Sequence, residues 1–262
     1  DLAGLSLPVA WTDPLFLPFD WGYLAFVYDS DKLKSPLDLL WLLGADEFDT
    51  AKIGVVTGDD MRNRIPEFQA KGLKEMFSGE PLPDDVEYTA MNAYFGGFPI
   101  AALLAEGADI VLTGRVVDSA LALGPLIHEF GWQRGEWDLL SGGTLAGHLI
   151  ECGAQVTGGT FTDWREVEGW ATIGAPIAEC HADGTCIITK PQASGGMVSK
   201  GTVAEQLLYE TSDPQCYFVP DVTCDWSGVS LEETGPNRVR VSGVTGEGLP
   251  DLFQEAVVVQ RL

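Results

Sequence analysis

The chain has 262 residues, 45% of them hydrophobic, which is enough to bury a full core in one large domain or two smaller ones. Its 39 acidic and 15 basic residues leave a formal charge of −24, which argues against nucleic acid or an anionic membrane as a partner. No apolar run approaches the roughly 18 residues that a transmembrane helix needs, and no secretory leader is visible.

The first half of the chain alternates strand-like and helix-like patterns. Apolar runs predict strands at 24–28, 52–57 and 109–113. This alternation is typical of a parallel sheet, so residues 1–160 are predicted to form an α/β core whose mostly parallel sheet is covered by helices. A kink is expected at Gly124-Pro125. Helical spacing places the helices at 36–43, 62–72, 99–106, 118–130 and 142–152.

The second half changes character and favours strands. One helix is predicted there, at 202–209. Residues 161–262 are therefore predicted to be a β-rich extension that packs on the core and is not an independent domain. The strand-like segments are 186–190, 217–219, 239–241 and 256–259.

Two neighbouring carboxylates, Asp59 and Asp60, directly follow the predicted strand at 52–57. Carboxylates at the carboxyl end of a strand can bind Mg²⁺ or a substrate hydroxyl. They can equally cap the helix that follows. The sequence leaves both interpretations open.

Arg115 follows the strand at 109–113 and is the strongest candidate for binding an anionic substrate group, because a guanidinium holds a carboxylate or phosphate through two hydrogen bonds. Asp118 either joins that site or simply pairs with Arg115. Asn92 and Tyr94, next to two glycines, are candidates to line the same pocket and polarise a carbonyl. The alternative for Asn92 is a turn in which its side chain bonds to its own backbone.

A second cluster lies around the end of the helix predicted at 142–152. His148 and Glu151 are three residues apart and His148 and Cys152 four apart, so all three can share one helical face. That arrangement suits an acid/base pair or an imidazole-activated thiolate, although buried structural hydrogen bonding explains it as well. Gln155 is a further binding candidate, and the backbone N–H groups of Gly158 and Gly159 are candidates for an anion nest.

The last candidate is a glycine-rich turn. Lys190 and Ser194, ahead of the helix at 202–209, can form a phosphate cradle or an ordinary connection. The five cysteines are odd in number and lack a CxxC spacing. They favour reduced thiols and a cytoplasmic location over a disulfide framework or a structural zinc site.

Several long segments resemble the acyclic terpene utilisation (AtuA-like) family. The resemblance runs over roughly residues 52–250 and rests on GADIVLTGRVVDSALALGPLIHEFGW, GHLIECGAQVTGGTF, KPQASGGMVSKGTVAEQLLYE and PDVTCDW, with NAYFGGFPIAALLAEGADI fitting as well. Two departures stand out. The glycine-rich strand-loop and long helical segment that open the family are not found in residues 1–51, and the chain stops before the small ferredoxin-like domain of many members.

The resemblance implies the bacterial breakdown of branched terpenoid acids as CoA thioesters. We therefore expect a cytoplasmic enzyme that acts on an acyl-CoA or branched carboxylic acid, as a hydratase, lyase, isomerase or thioester hydrolase. The alternative is a non-catalytic subunit that binds an acyl-CoA or a partner enzyme. A homo-oligomer is expected. No cofactor is certain: CoA would enter as part of the substrate, and Mg²⁺ would enter only through Asp59 and Asp60.

Overall fold

The computed structural model describes residues 52–75 and 78–249, and the backbone of 257–260. The strand expected at 24–28 and the helix expected at 36–43 lie outside these residues. None of the helices in the described part has the length and apolar character needed to cross a bilayer.

The described residues form a mixed α/β structure. The helices are α1 (Ile65–Ala70), α2 (Phe98–Ala105), α3 (Ala120–Phe130), α4 (Trp137–Ile150) and α5 (Lys200–Leu208). The strands are β1 (Ile53–Val56), β2 (Ala90–Ala93), β3 (Ile110–Thr113), β4 (Ile177–Cys180), β5 (Cys186–Thr189), β6 (Tyr217–Val219), β7 (Val222–Asp225), β8 (Ser230–Gly235), β9 (Arg238–Ser242), β10 (Thr245–Glu247) and β11 (Val257–Gln260).

The parallel sheet is smaller than predicted. Within the described residues its only ladder is β1 with β3, because β2 pairs antiparallel with β11 instead. Helix α2 covers one face, where Leu103 packs against Gly54. On the other face Ile53, Val55 and Leu112 are exposed, and no helix of the described residues covers them.

The β-rich second half is as expected, and it is antiparallel. One sheet has the order β4-β5-β9-β8 and another the order β10-β7-β6. Strands β4, β7, β8 and β10 did not stand out in the sequence. Strands β4, β7 and β10 have only three or four residues, and β8 consists mostly of polar residues and glycine.

The main hydrophobic core draws on both halves of the chain. Leu123 and Leu145 from helices of the first half lie in one cluster with Ile188, Val222 and Val239 from strands of the second half. Helix α3 runs through Pro125 and ends at Gly131, whose positive φ of 67° suits a left-handed helix end. The division at residue 160 stays a prediction.

A buried carboxylate from the second half holds the start of α2. Asp221 accepts a hydrogen bond of 2.7 Å from the backbone N–H of Gly97 and another from that of Phe98. Burial raises the pKa of Asp221, and these bonds oppose the shift. Gly96 is required beside it, because a Cβ at that position would collide with the carboxylate of Asp221.

We expect Asp221→Ala to lower the free energy of unfolding by about 1–3 kcal/mol, because it leaves two backbone donors unpaired at the start of α2. Urea unfolding followed by circular dichroism measures the change. Asp163→Ala is the matched control, since Asp163 is exposed and its side chain makes no capping bond. Equal stability of the two variants would contradict the role given to Asp221.

Candidate active site

Asp59 joins the ends of three strands. Its Oδ2 accepts hydrogen bonds of 2.8 Å from Nδ2 of Asn92 and of 2.8 Å from the backbone N–H of Arg115. The bond from Arg115 is the main reason that the pKa of Asp59 is lowered. Gly114 leaves room for this carboxylate, which a Cβ would strike. Asp59 therefore acts as a fixed anchor for the residues around it.

Arg115 lies on the outside of this anchor. Its guanidinium stacks 4.4 Å from the centre of the Tyr94 ring and reaches Oδ1 of Asp118 at 3.2 Å. The side chain of Arg115 is 41% exposed, so donors remain open to solvent. The internal pair with Asp118 and a binding role are thus compatible. We call Asp59, Asn92, Tyr94, Arg115 and Asp118 the arginine group.

The two aspartates predicted as a magnesium pair are both engaged by other residues of the protein. Both oxygens of Asp60 bond to the side chain of Arg62, and Oδ1 also accepts from the Arg62 backbone N–H. This pairing lowers the pKa of Asp60 to about 2. Asp59 is occupied by Asn92 and Arg115. Within the described ranges no group of three or more His, Cys, Asp or Glu side chains is placed to hold a metal ion.

His148 is fully buried between α4 and α5. Its Nε2 lies 3.0 Å from the backbone oxygen of Gln206, and Nε2 of Gln206 donates in return to the backbone oxygen of His148 at 3.1 Å. A carbonyl oxygen only accepts, so Nε2 of His148 must carry a hydrogen. The reciprocal bonds therefore fix both the orientation of the imidazole and the position of one proton.

The other imidazole nitrogen faces Glu151. Nδ1 of His148 lies 3.2 Å from Oε1, which is ion-pair distance, although it lacks the alignment of a hydrogen bond. Because Nε2 already carries its hydrogen, this contact is attractive only when a second proton is on Nδ1 or on Glu151. Glu151 is 11% exposed and His148 is not exposed at all. Glu151 is therefore the more accessible of the two side chains.

The segments that carry the arginine group and the His148–Glu151 pair are in contact. Gly147 packs so closely on Ser119 that a Cβ would lie 2.8 Å from the Ser119 Cα. The ring of Tyr217 lies 5.9 Å, centre to centre, from the imidazole of His148. Burial is the main reason that the pKa of Tyr217 is raised, and the negative charge of Glu151 adds to the shift.

We expect Gly147→Ala to lower the free energy of unfolding by about 1–3 kcal/mol, because the new methyl group would force α4 away from Ser119. Alanine inside a helix normally stabilises the helix relative to glycine. The expected change in the free energy of unfolding therefore has the opposite sign to the change that helix propensity alone predicts. Urea unfolding measures the effect, with Gly235→Ala as a control whose Cβ meets only Arg238 at ordinary distance. A stabilised Gly147→Ala variant would contradict the close contact.

Cys152 does not have the environment of an activated nucleophile. Burial raises the pKa of its thiol, while hydrogen bonds with Gln155 and Tyr209 oppose that shift. A thiol with a raised pKa is mostly protonated at neutral pH and is a poor nucleophile. This environment does not favour Cys152 as a nucleophile, and that role stays a prediction. Gln155 and Tyr209 instead line a shallow hollow of about 320 Å³, together with Thr160, Glu205 and Leu208.

The predicted anion nest at Gly158 and Gly159 is also not formed. The N–H of Gly158 donates to the oxygen of Gln155 at 3.0 Å, and that of Gly159 to the oxygen of Ala154 at 2.8 Å. Both donors are used inside the turn, so neither is free for a ligand. Gly158 serves the turn through its φ of 106°.

The donors of the loop from Lys190 to Gly196 are likewise used within the protein. Lys190 is buried and its Nζ donates to the backbone oxygen of Ser194 at 2.7 Å, while Oγ of Ser194 donates to Pro191. The N–H groups of Gly195 and Gly196 bond to other backbone oxygens. The backbone donors expected for a phosphate cradle are therefore engaged within the fold, and that role stays a prediction.

The sequence analysis did not identify the residues of the second half that surround His148. Gln206 is 2% exposed on the inner face of α5, and the rings of Tyr217 and Trp226 stack at 4.4 Å next to the imidazole. The signal for Gln206 was available, since a polar side chain on the apolar face of a helix needs a buried partner. The two aromatic residues gave no such signal.

Comparisons with known proteins give one long match and short ones. A thiamine-binding periplasmic protein of Haemophilus influenzae is 56% identical over 36 residues, which is 14% of this chain and 11% of that protein. The thiamine-binding periplasmic protein of Escherichia coli is 53% identical over 32 residues, 12% of this chain and 10% of that protein. The chain thus spans about a tenth of the length of these curated relatives. No solved structure matches.

The long match is to a family model. It covers residues 41–261 and is described as acyclic terpene utilisation family protein AtuA. It includes all the residues of the arginine group and of the His148–Glu151 pair. The chain therefore belongs to the acyclic terpene utilisation family AtuA.

Proposed function

We propose that the chain is an enzyme of acyclic terpene breakdown that binds a branched carboxylic acid or its CoA thioester and moves a proton next to the carbonyl. The observation that carries this proposal is the contact between the segments that carry two polar groups, where Gly147 packs on Ser119. One offers a half-exposed guanidinium at Arg115, and the other offers the buried His148–Glu151 pair. An anion-binding group beside an acid/base pair suits a hydratase, lyase or isomerase.

In this proposal each residue has a distinct task. Arg115 binds the anionic group, and Asp59 and Tyr94 hold the arginine in place. Glu151 exchanges a proton with the substrate. His148 is a positioning residue that keeps a proton available to Glu151 through Nδ1. Asn92 is already bonded to Asp59, so it supports the anchor more than it polarises a substrate carbonyl.

The hollow beside Cys152 offers a place for the branched hydrocarbon chain. Leu208 is 65% exposed in this hollow. An apolar ligand that covers this leucine removes apolar surface from water, which favours binding. The hydrogen bond between Tyr209 and Cys152 links this hollow to the segment that carries Glu151. Gln155 would contact the ligand from the same hollow.

Thermal-shift measurements test the proposal. Wild-type protein is screened against branched acyl-CoA thioesters, the free acids, free CoA and Mg²⁺. A ligand at a hundred times its dissociation constant stabilises the native state by about 2.7 kcal/mol. We expect thioesters or acids to raise the melting temperature and Mg²⁺ alone to leave it unchanged. A screen in which no acid or thioester binds would overturn the proposal.

The second candidate is a non-catalytic subunit that binds an acyl-CoA or a partner enzyme. It is favoured by the extent to which the polar groups satisfy one another, since Arg115 already pairs with Asp118 and the carboxylate of Asp59 is occupied. Binding without turnover, unaffected by changes at Glu151, would select this candidate. A homo-oligomer remains a prediction, and sedimentation of the full chain would measure it.

A further inference from the structure

Two cysteines face each other across the hairpin formed by β4 and β5. In the register of the two strands Cys180 is the direct partner of Cys186. Both thiols are free, Cys186 lies in the main core, and Cys180 packs against that core from a half-buried position. Directly opposed residues of an antiparallel pair point to the same face of the sheet, so the two thiols share a side.

The hydrogen bond next to the turn of the hairpin shows whether Cys180 and Cys186 form a hydrogen-bonded or a non-hydrogen-bonded cross-strand pair. The N–H of His181 donates to the oxygen of Thr185 at 2.9 Å, so these two residues face each other as a hydrogen-bonded pair. Hydrogen-bonded and non-hydrogen-bonded pairs alternate along an antiparallel ladder, which makes Cys180 and Cys186 a non-hydrogen-bonded pair. The Cα atoms of such a pair are about 4.5 Å apart, within the range of about 4.4–6.8 Å that a disulfide requires.

We propose that Cys180 and Cys186 are a site of covalent modification, at which a hydroperoxide converts the two thiols to an intramolecular disulfide. The sulfur of Cys180, the more exposed of the two, attacks one peroxide oxygen and becomes a sulfenic acid while the O–O bond breaks. For hydrogen peroxide the first step releases water. The sulfur of Cys186 then attacks the Cys180 sulfur, the S–O bond breaks, and a second water leaves with the remaining thiol proton. Two thiols are oxidised and one peroxide is reduced.

The buried environment of the two thiols determines the rate of this oxidation. Burial raises the pKa of Cys180 to about 11 and that of Cys186 still further. Thiolate, the attacking form, is therefore scarce at neutral pH, and the oxidation is slow compared with that of a sensor cysteine. The pair responds to prolonged exposure to oxidant and not to a brief pulse.

The disulfide would fasten a strand that is otherwise held on one side. β4 is the edge strand of its sheet and pairs only with β5 among the described strands. The turn of the same hairpin touches the first half of the chain, because Nε1 of Trp132 donates to the oxygen of Ala182 and Gly184 packs on Leu139 of α4. The bond would therefore form next to the helix that carries His148.

Peptide mapping of the native full-length chain tests the proposal. The protein is incubated with hydrogen peroxide, its remaining thiols are blocked with N-ethylmaleimide, and it is digested without reduction. We expect a cross-linked peptide joining Cys180 and Cys186 that dithiothreitol separates. Intact mass should fall by two hydrogens for this bond. Because the wild-type protein alone gives this result, the test does not depend on the proposed enzyme activity.

Matched variants identify the pair. Cys152→Ser should form the cross-linked peptide as the wild type does, whereas Cys180→Ala should lose it and leave Cys186 open to the blocking reagent after unfolding. The proposal is overturned if Cys180 and Cys186 are both recovered as blocked thiols after long exposure to peroxide. It is equally overturned if Cys180 stops at the sulfinic acid or pairs with another cysteine.

Discussion

Glu151→Gln is expected to lower turnover by about 10²–10⁴-fold, the usual contribution of a positioned acid or base. Glutamine keeps the shape of the side chain but cannot exchange a proton with the substrate or with Nδ1 of His148. Binding should change little, because Arg115 and the hollow at Leu208 remain. Steady-state kinetics with the thioester or acid found in the ligand screen separates the effect on kcat from that on KM.

Glu166→Gln is the control for this change, because Glu166 lies exposed in a short helical turn at Trp164–Glu166. It should behave as the wild type in both kcat and stability. If Glu151→Gln keeps the wild-type rate, Glu151 does not transfer the proton. If the rate falls together with the melting temperature, the carboxylate is needed for the fold around His148 instead.

Arg115→Ala should weaken binding of an anionic ligand roughly ten- to a hundredfold, which corresponds to the about 1.5–3 kcal/mol of hydrogen bonds to a charged group. The melting temperature should stay close to that of the wild type, because the guanidinium is 41% exposed and its pair with Asp118 contributes little at the surface. Isothermal titration with the ligand gives the affinity. Arg115→Lys should recover part of it, since lysine keeps the charge but loses the paired donors.

Arg165→Ala is a close control for Arg115→Ala. The guanidinium of Arg165 also lies 4.4 Å from an aromatic ring, that of Trp164, but neither residue belongs to the arginine group, to the His148–Glu151 pair or to the lining of the hollow. Both variants therefore lose an arginine that is stacked on an aromatic ring, so a difference in affinity between them does not come from that loss alone. Unchanged affinity in Arg115→Ala, or an equal loss in both variants, would remove Arg115 from the binding site.

Local patterns in the sequence predicted elements well where short-range interactions decide the structure. The helix predicted at 142–152 is found at Trp137–Ile150, and Glu151 follows it with helical backbone angles. The predicted spacing of His148 and Glu151 therefore becomes a real contact of 3.2 Å. Arg115 and Asp118 are an equally local pair, and they too are in contact.

Long-range pairing was beyond what local patterns can show. The run Ala90–Ala93 looks the same whether it joins β1 and β3 or pairs with β11, and only the folded chain selects the second arrangement. The same reason hid Gln206 as the partner of His148 and Asp221 as the acceptor for α2. The two glycine-rich loops differ from expectation for another reason, since their backbone donors are used within the protein: Gly158 bonds inside its own turn and Gly195 bonds to Thr172.

The strand that carries Asn92 completes its ladder with a strand far along the chain, where Asn92 is the partner of Val258 of β11. During synthesis on the ribosome, this neighbour of β2 does not exist until β11 has been translated. Loop closure over so long a separation slows folding. Nascent chains will therefore expose an unpaired β2 edge, and binding of chaperones to that edge should decline only once translation reaches β11.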